Sequence, residues 1–545
     1  MRRRTLKTYG MTNKPAKLLF AALVCCFALW GLLNNMTDHL VPAFKTIFNL
    51  PDSTAVYVQV SFYGSYSVIA VFASMLIQRA GYRAGVLWGL GVYIAGALMY
   101  VPACMTQSFG LYIAGIFVVA GGCAVLETTC NPYVLSLGDE ATAVRRLNFA
   151  QMFNPVGSLA GIFLAKELIL ANLDPATVEE RLAMEPSLLR SIIHDELVWI
   201  CVPYVGLCLL LLAIWLYFLR HPIHTDMEAN AEKGPLGRRI AHVVGAAALT
   251  AVPFAVTGWL FPDMNKLVWM LTGMIGPFAC IMSMKAYRES FFALVRTPRY
   301  VFGLATLFFY VGMQIAVWTW MNAYGQKELG VSPEVSANYY ILAIAIHIAN
   351  CWAASYAMKW IAPWKIMAAY CVLGTLCCLG TIYLPSTVIA TVGGVPFSLN
   401  VICLMGISLF MAILFPTIYG IALGGLTPKC FKLGGPGMVM AILGGAVITP
   451  WMAGVISAKE SVFFALVPMA DFTWDANLRT SSGALRASFF IPIICFAIMF
   501  AYAVLCGPMK QRSSRTHGMS AMHEKHMPPI PGCRDKTVAI SDGIG

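Results

Sequence analysis

Apolar residues in this chain neither alternate nor fall on a single helical stripe. They come in continuous runs of roughly twenty, the length that crosses the hydrocarbon core of a bilayer. The runs cover 18–44, 56–77, 84–104, 109–137, 147–171 and 197–219, then 240–261 and 265–287, then 298–325, 336–358, 364–384, 398–426, 434–457 and 486–507. The pattern predicts an all-α polytopic membrane protein with about fourteen candidate spans. The apolar run from Leu18 follows a basic start, Met1-Arg-Arg-Arg, lacks a small-residue cleavage pattern and continues into polar residues. It therefore reads as a retained first span and not as a secretory leader.

Composition agrees. Of 545 residues 59% are hydrophobic and 11% charged, where a soluble domain carries about 25% charged residues. The formal charge of +12 does not point to nucleic acid, because Lys and Arg sit in short gaps between apolar runs. The N-terminal segment and alternate gaps are basic (Arg79/Arg83, Arg145/Arg146, Arg220 through Arg239, Arg288/Arg296/Arg299, Lys359/Lys365, Lys429/Lys432, and the tail from Lys510). The gap 172–196 is acidic, with Asp174, Glu179, Glu180, Glu185, Asp195 and Glu196. The positive-inside rule then places both termini in the cytoplasm, which requires an even number of spans, twelve or fourteen. The 17 cysteines, among them Cys25, Cys26, Cys377 and Cys378, lie mostly inside apolar runs without a CxxC pair. They read as small buried hydrophobes and not as metal ligands.

The organisation expected is a cytoplasmic segment 1–17, an N-terminal six-helix bundle 18–220, a linker 221–297 with two extra apolar segments, a C-terminal six-helix bundle 298–507 and a disordered tail 508–545. The tail histidines His517, His523 and His526 read as solvated residues. A faint repeat relates Leu126-Glu-Thr-Thr-Cys-Asn-Pro-Tyr-Val-Leu-Ser-Leu-Gly138 to Leu414-Phe-Pro-Thr-Ile-Tyr-Gly-Ile-Ala-Leu-Gly424. Two related halves around a central path is the logic of many secondary transporters.

Charged side chains inside a span cost about 2.5–3.5 kcal/mol each and mark function. Two acids qualify, Asp38 in Asn34-Asn35-Met-Thr-Asp38 and Glu127 in the middle of the fourth run. Asn35 and Asp38 stand at i, i+3, and Glu127 and Asn131 at i, i+4, so each pair shares a helix face. Loss of water favours the neutral form of a carboxyl, which suits a proton carrier. For Asp38 the plainer reading is a helix end in the interfacial zone. Asn148, Gln151 and Asn154 recur every three residues in the fifth run. They are either amide glue between helices or a donor-acceptor surface for a polyol. Tyr310, Gln314 and Trp318 recur every four residues, which suits a sugar ring with apolar stacking and hydrogen bonds at its rim. Packing explains such a stripe equally well. His39 and His347 read as packing histidines before proton relays, and Asn338 and Asn350 as weak markers of a cavity face. There is no Walker loop, HExxH or nucleophile elbow, so ATP-driven transport and enzymatic chemistry lack support.

Taken together, several stretches resemble the L-fucose permease family, a sugar–proton symporter branch of the major facilitator superfamily. They are Phe27-Ala-Leu-Trp-Gly-Leu-Leu-Asn-Asn-Met-Thr-Asp38, Phe62-Tyr-Gly-Ser-Tyr66, Gly81-Tyr-Arg-Ala-Gly85, Leu126-Glu-Thr-Thr-Cys-Asn-Pro132, Leu147-Asn-Phe-Ala-Gln-Met-Phe-Asn154, Tyr310-Val-Gly-Met-Gln314, Ala362-Pro, Phe415-Pro-Thr417 and Gly444-Gly-Ala-Val-Ile-Thr-Pro450. The resemblance covers about 20 to 505 apart from 225–295. It implies two six-helix bundles working by alternating access in a bacterial inner membrane. It also implies proton coupling through Asp38 and Glu127, and sugar contacts from Asn35, Gln151, Asn154 and Gln314. It implies no cofactor beyond the proton gradient; the partners are a monosaccharide, protons and the bilayer, with the chain as a monomer. Two positions depart from the family: Gln78 precedes Arg79 where an acid is expected, and Asn350 stands where close relatives carry Arg. The expected substrate is L-fucose or a related sugar such as galactose or arabinose. A glucose/galactose-type transporter and a non-transporting sugar sensor are the alternatives.

Overall fold

The structure, a computed structural model, describes residues 17–508 except 39–42, 45–46, 50–56, 139, 175, 177–179, 182, 221–284, 458–461 and 468–480. The extra segments expected at 240–261 and 265–287 therefore lie outside the described residues except for their last few, as do His39 and the tail histidines.

The first half holds α1 (Lys17–Asp38), α2 (Tyr57–Leu98), α3 (Tyr100–Met105), α4 (Phe109–Ser136), α5 (Ala143–Gln151), α6 (Phe153–Leu164) and α7 (Pro186–Arg220). After a short α8 (Lys285–Val295) the second half holds α9 (Pro298–Leu329), α10 (Pro333–Ala357), α11 (Pro363–Tyr383), β1 (Val388–Val392), β2 (Val395–Ser398), α12 (Leu399–Met411), α13 (Leu414–Leu423), α14 (Pro428–Met440), α15 (Gly445–Ser457), α16 (Ser482–Ser488) and α17 (Phe490–Cys506). Ten helical stretches are long and apolar enough to cross a membrane. The part of α2 before Gly81 and the interrupted passage α14–α15 bring the described passes to twelve, six in each half.

Local chemistry sets these boundaries. Proline, whose fixed φ suits the first helical turn, opens α9, α10, α11 and α14 at Pro298, Pro333, Pro363 and Pro428. Gly330, at φ 62°, ends α9 in the left-handed conformation that suits glycine at a helix stop. The runs expected at 56–77 and 84–104 meet without a loop, because Gly81 at φ 85° turns the chain between two helices. The expected acidic gap 172–196 is shorter than anticipated, since α7 already begins at Pro186. Its acid Glu196 lies inside that helix, buried, and takes both terminal nitrogens of Arg181 at 2.9 and 2.5 Å. Sequence reading also missed the small hairpin of β1 and β2. Gly393 and Gly394, both at positive φ, supply the turn that two-residue hairpins need.

Lipid gives helices no hydrophobic reason to associate, so close packing of small residues has to do it. Along α1 and α6, a Cβ on Gly31, Gly157 or Gly161 would overlap the carbonyl oxygens of Asn154, Ala28 and Leu32. In the other half, a Cβ on Gly444 would overlap the Phe308 carbonyl of α9. The first and fifth passes of one half, and the corresponding seventh and eleventh, thus touch backbone to backbone.

Several basic residues in the gaps act as helix caps. Arg83 donates to the last carbonyls of α7, Phe218 at 3.0 Å and Leu219 at 2.9 Å. Arg146, fully buried, donates to Val134 at 2.7 Å and Leu135 at 2.6 Å at the end of α4. A cation at a helix C-terminus satisfies unpaired carbonyls and opposes the helix dipole. At the opposite end of the second half, Arg486 of α16 holds Glu328 of α9 through Nη2 at 2.5 Å and Nε at 3.0 Å, with Ser386, Ser482 and Asn400 around the carboxylate.

Two outcomes follow for stability. Gly157→Val drives its side chain into the backbone of α1, so thermal unfolding of the purified protein in detergent should show a loss of about 2–3 kcal/mol; an unchanged midpoint would mean that the helices can part there freely. Arg486→Ala leaves Glu328 buried without its cation and should cost about 3–5 kcal/mol, while Arg486→Met combined with Glu328→Gln should recover most of the lost midpoint.

Candidate functional site

The two halves meet along a line of contacts at the end of the bundle that carries the basic gaps. Pro132 of α4 faces Gly435 of α14, and Val144 of α5 faces Gly420 of α13. Asn148 donates to the Thr417 hydroxyl across the interface at 3.5 Å. Phe149 meets Trp352 edge-on, ring centroids 5.8 Å apart. Met152, Cys351 and Ala412 form a small apolar cluster beside it. Nearer the other end, the Tyr340 hydroxyl of α10 donates to Asn35 Oδ1 of α1 at 3.3 Å.

In the first half, α1, α4, α5 and α6 carry the polar residues. The first helix runs through Asn34 and Asn35 and ends at Asp38. Its last turn therefore holds both amides and the acid. Glu127 lies in the middle of α4, 7% exposed, with no hydrogen bond or ion pair among the described residues. One turn on, Asn131 is fully buried and accepts from Gln151 Nε2 at 2.8 Å. Its own Nδ2 finds no partner, nor does the Thr128 hydroxyl or Asn148 Oδ1. A buried polar atom left unpaired costs about 1–3 kcal/mol. The region around Glu127 thus keeps hydrogen-bonding capacity that protein groups leave unused.

The expected amide stripe is divided by geometry. The helix is interrupted at Met152, between α5 and α6. Asn148 turns to Val144 and to Thr417 in the other half. Gln151 turns to Asn131, and Asn154 sits half-buried where its backbone meets Gly31. The stripe Tyr310, Gln314, Trp318 of α9 divides likewise. Tyr310 is buried, its hydroxyl bonded to the Met411 carbonyl at 3.2 Å. Gln314 is half-buried and Trp318 donates Nε1 to Ser408 at 3.1 Å.

Trp318 also anchors a row of rings. His347 stands edge-on to it at 5.6 Å and Tyr340 at 6.0 Å, while His347 Nδ1 contacts the Ser408 carbonyl at 2.9 Å. Sequence reasoning named His347 and missed Tyr340. The signal was present, because residues seven apart share a helix face. Asn350 is used inside its own half: it donates to Leu409 O at 2.7 Å and accepts from Tyr370 at 2.8 Å. Asn338 is exposed.

A separate cavity of about 390 Å³ lies between α3 and α7, lined by Val101, Cys104, Met105, His194, Val198, Cys201, Val202 and Val205. Its walls are apolar and none of the residues above reaches it, so it does not belong to this site.

Comparison with known proteins gives the arrangement its context. The profile of the Major Facilitator Superfamily matches residues 18–429. The L-fucose-proton symporter of Haemophilus influenzae is 30% identical over 488 residues, 89% of this chain and 95% of that protein. A glucose/galactose transporter of Brucella abortus is 25% identical over 513 residues, 92% of this chain and 97% of that protein. Among solved structures, the E. coli fucose:proton symporter FucP superposes with a TM-score of 0.67 at 24% identity, over 89% of this chain and 98% of that one. A match along nearly the whole length, with the same two-bundle architecture, establishes that this chain belongs to the Major Facilitator Superfamily, as a divergent member of its L-fucose permease family.

Proposed function

We propose that the chain is a proton-coupled monosaccharide symporter of a bacterial inner membrane, with both termini cytoplasmic, taking up L-fucose or a closely related sugar. The observation that carries the reading is Glu127, a carboxyl at membrane depth with no partner among the described residues, beside the amides of Asn131 and Gln151. The names of the relatives support transport over sensing.

In this reading Asp38 or Glu127 takes a proton from the outer side. Neutralising the carboxylate removes the cost of enclosing a charge in a low-dielectric space. The sugar then sits between the amides of the first half (Asn35, Asn131, Gln151, Asn154) and the aromatic wall of the second (Gln314, Trp318, with Tyr310 behind). An amide offers donor and acceptor to each hydroxyl, and an indole face suits the C–H side of a sugar ring. The loaded carrier rocks about the contacts between the halves, and sugar and proton leave inside. One charge moving through 100 mV supplies about 2.3 kcal/mol, enough to concentrate sugar more than tenfold.

Uptake of L-fucose into proteoliposomes, recorded together with external pH, tests this. The wild type should show sugar-dependent alkalinisation. Glu127→Gln and Asp38→Asn should each lower active uptake at least about tenfold, or ~1.4 kcal/mol, and the coupling carboxylate is the one whose loss spares sugar exchange. Sugar movement with no proton movement in the wild type would sink the symport reading.

A second outcome concerns pH. A ligand shifts an equilibrium only through its differential affinity for the two states. If sugar prefers the protonated carrier, deprotonation at higher pH weakens apparent affinity, by at most about tenfold per pH unit for one linked proton. Equilibrium binding that stayed flat from about pH 5 to pH 9, a range above ordinary carboxyl titration and across a raised one, would rule out this coupling.

A further inference from the structure

The bond between Tyr340 and Asn35 stands apart from every other contact described between the halves. The other contacts gather at the basic end and are packing contacts or the Asn148–Thr417 bond. Tyr340 instead reaches the last turns of α1, where the first half presents Asn34, Asn35 and Asp38.

Its geometry is that of a contact easily exchanged. At 3.3 Å it is longer than the roughly 2.5–3.0 Å of a good O–H···O bond. The same amide donates to Gly31 O at 3.4 Å, also long. Behind it, however, the Tyr340 ring rests against Trp318, which Ser408 and His347 hold in place. A long contact made from a well-anchored ring is one that can be exchanged: the hydroxyl can yield this acceptor while the ring keeps its seat.

A sugar hydroxyl is chemically the same donor as the tyrosine hydroxyl. We infer that Tyr340 is a positioning residue that competes with a sugar hydroxyl for Asn35 Oδ1, so that sugar binding exchanges a direct tie between the two halves for one that runs through the sugar. This rests on the symporter reading for the identity of the ligand. It goes beyond that reading in assigning Tyr340 a role opposed to that of a sugar-binding residue. The exchange gives the carrier a physical difference between its empty and loaded forms at the outer end of the interface, while the contacts at the basic end are untouched.

The test is a double-mutant cycle on the purified full-length protein, read as equilibrium binding of L-fucose, with D-galactose and D-glucose as further probes. Tyr340→Phe keeps the ring and removes the competitor, so binding should tighten about two- to tenfold, the net worth of one hydrogen bond. Asn35→Ser removes the contested acceptor and should weaken binding, and adding Tyr340→Phe to it should then change nothing further. A merely structural role for Tyr340 would not produce tightening that depends on Asn35. Binding by Tyr340→Phe equal to or weaker than wild type, or tightening that persists in the Asn35→Ser background, overturns the inference. Wild-type binding of sugar without proton movement would defeat the symport reading and leave this cycle standing; failure of the wild type to bind any of the three sugars would defeat both.

Discussion

In a bilayer core the solvent is as apolar as the side chains, so helix association depends on how closely two backbones can come together. Here the approach of α1 to α6, and of α9 to the turn before α15, is close enough that glycine alone fits at Gly31, Gly157, Gly161 and Gly444. The consequence reaches the site. Asn34, Asn35 and Asp38 follow Gly31 on the same helix, and Asn154 supplies the carbonyl that Gly31 packs against. The amides that face the centre are therefore positioned by backbone contacts, which have no rotamers to lose and little room to shift.

Against that rigid frame the polar interior is deliberately incomplete. Several charges and helix ends are met: Glu328 by Arg486, Glu196 by Arg181, and the carbonyls ending α4 and α7 by Arg146 and Arg83. Around the centre of α4 the pairing stops. Glu127 has no described partner, and Asn131 and Thr128 keep unused atoms. Unpaired buried polar atoms also occur in both halves, for example at Tyr82, Asn322 and Thr449, so what sets this region apart is the carboxyl of Glu127 among them, since buried polar groups are paired in the great majority of cases.

Much of this was legible in the sequence. Apolar runs gave the twelve described passes because run length and span length obey the same dimension. Glu127 stood out because a lone acid among apolar neighbours has few structural reasons. What the runs could not give was the way passes join. Gly81 lets two of them meet without a loop, and Pro186 starts α7 in what reads as an acidic gap, both decided by backbone conformation and by Arg181 covering Glu196. Spacing also misjudged how far a stripe extends. Asn148, Gln151 and Asn154 recur every third residue, yet three residues fall about 60° short of a full helical turn, and Asn148 reaches Thr417 in the other half while Gln151 reaches Asn131. For Tyr340 the shared face with His347 was readable, but the partner was not. It is one of 22 tyrosines, and its partner lies 305 positions away in sequence, a distance no periodicity can bridge.

The halves divide the chemistry unequally, and this bears on how such a carrier can move. Glu127, the buried acid with no described ion-pair partner, belongs to the first half, as does Asp38 at the end of α1, whereas Glu328 of the second half is paired with Arg486. In the second, the amide of Asn350 is consumed by Leu409 and Tyr370 within its own bundle. Near the centre that half offers rings and hydroxyls: Trp318, His347, Tyr340 and Ser408. Asn350 carries no charge that could neutralise a carboxylate of the first half. A proton can do so at the cost of no new side chain, and a sugar can satisfy the remaining amides in the same event. In the proposed reading, the first half takes the proton and the second presents the apolar wall, so proton and sugar together would meet polar groups that the described residues leave unpaired.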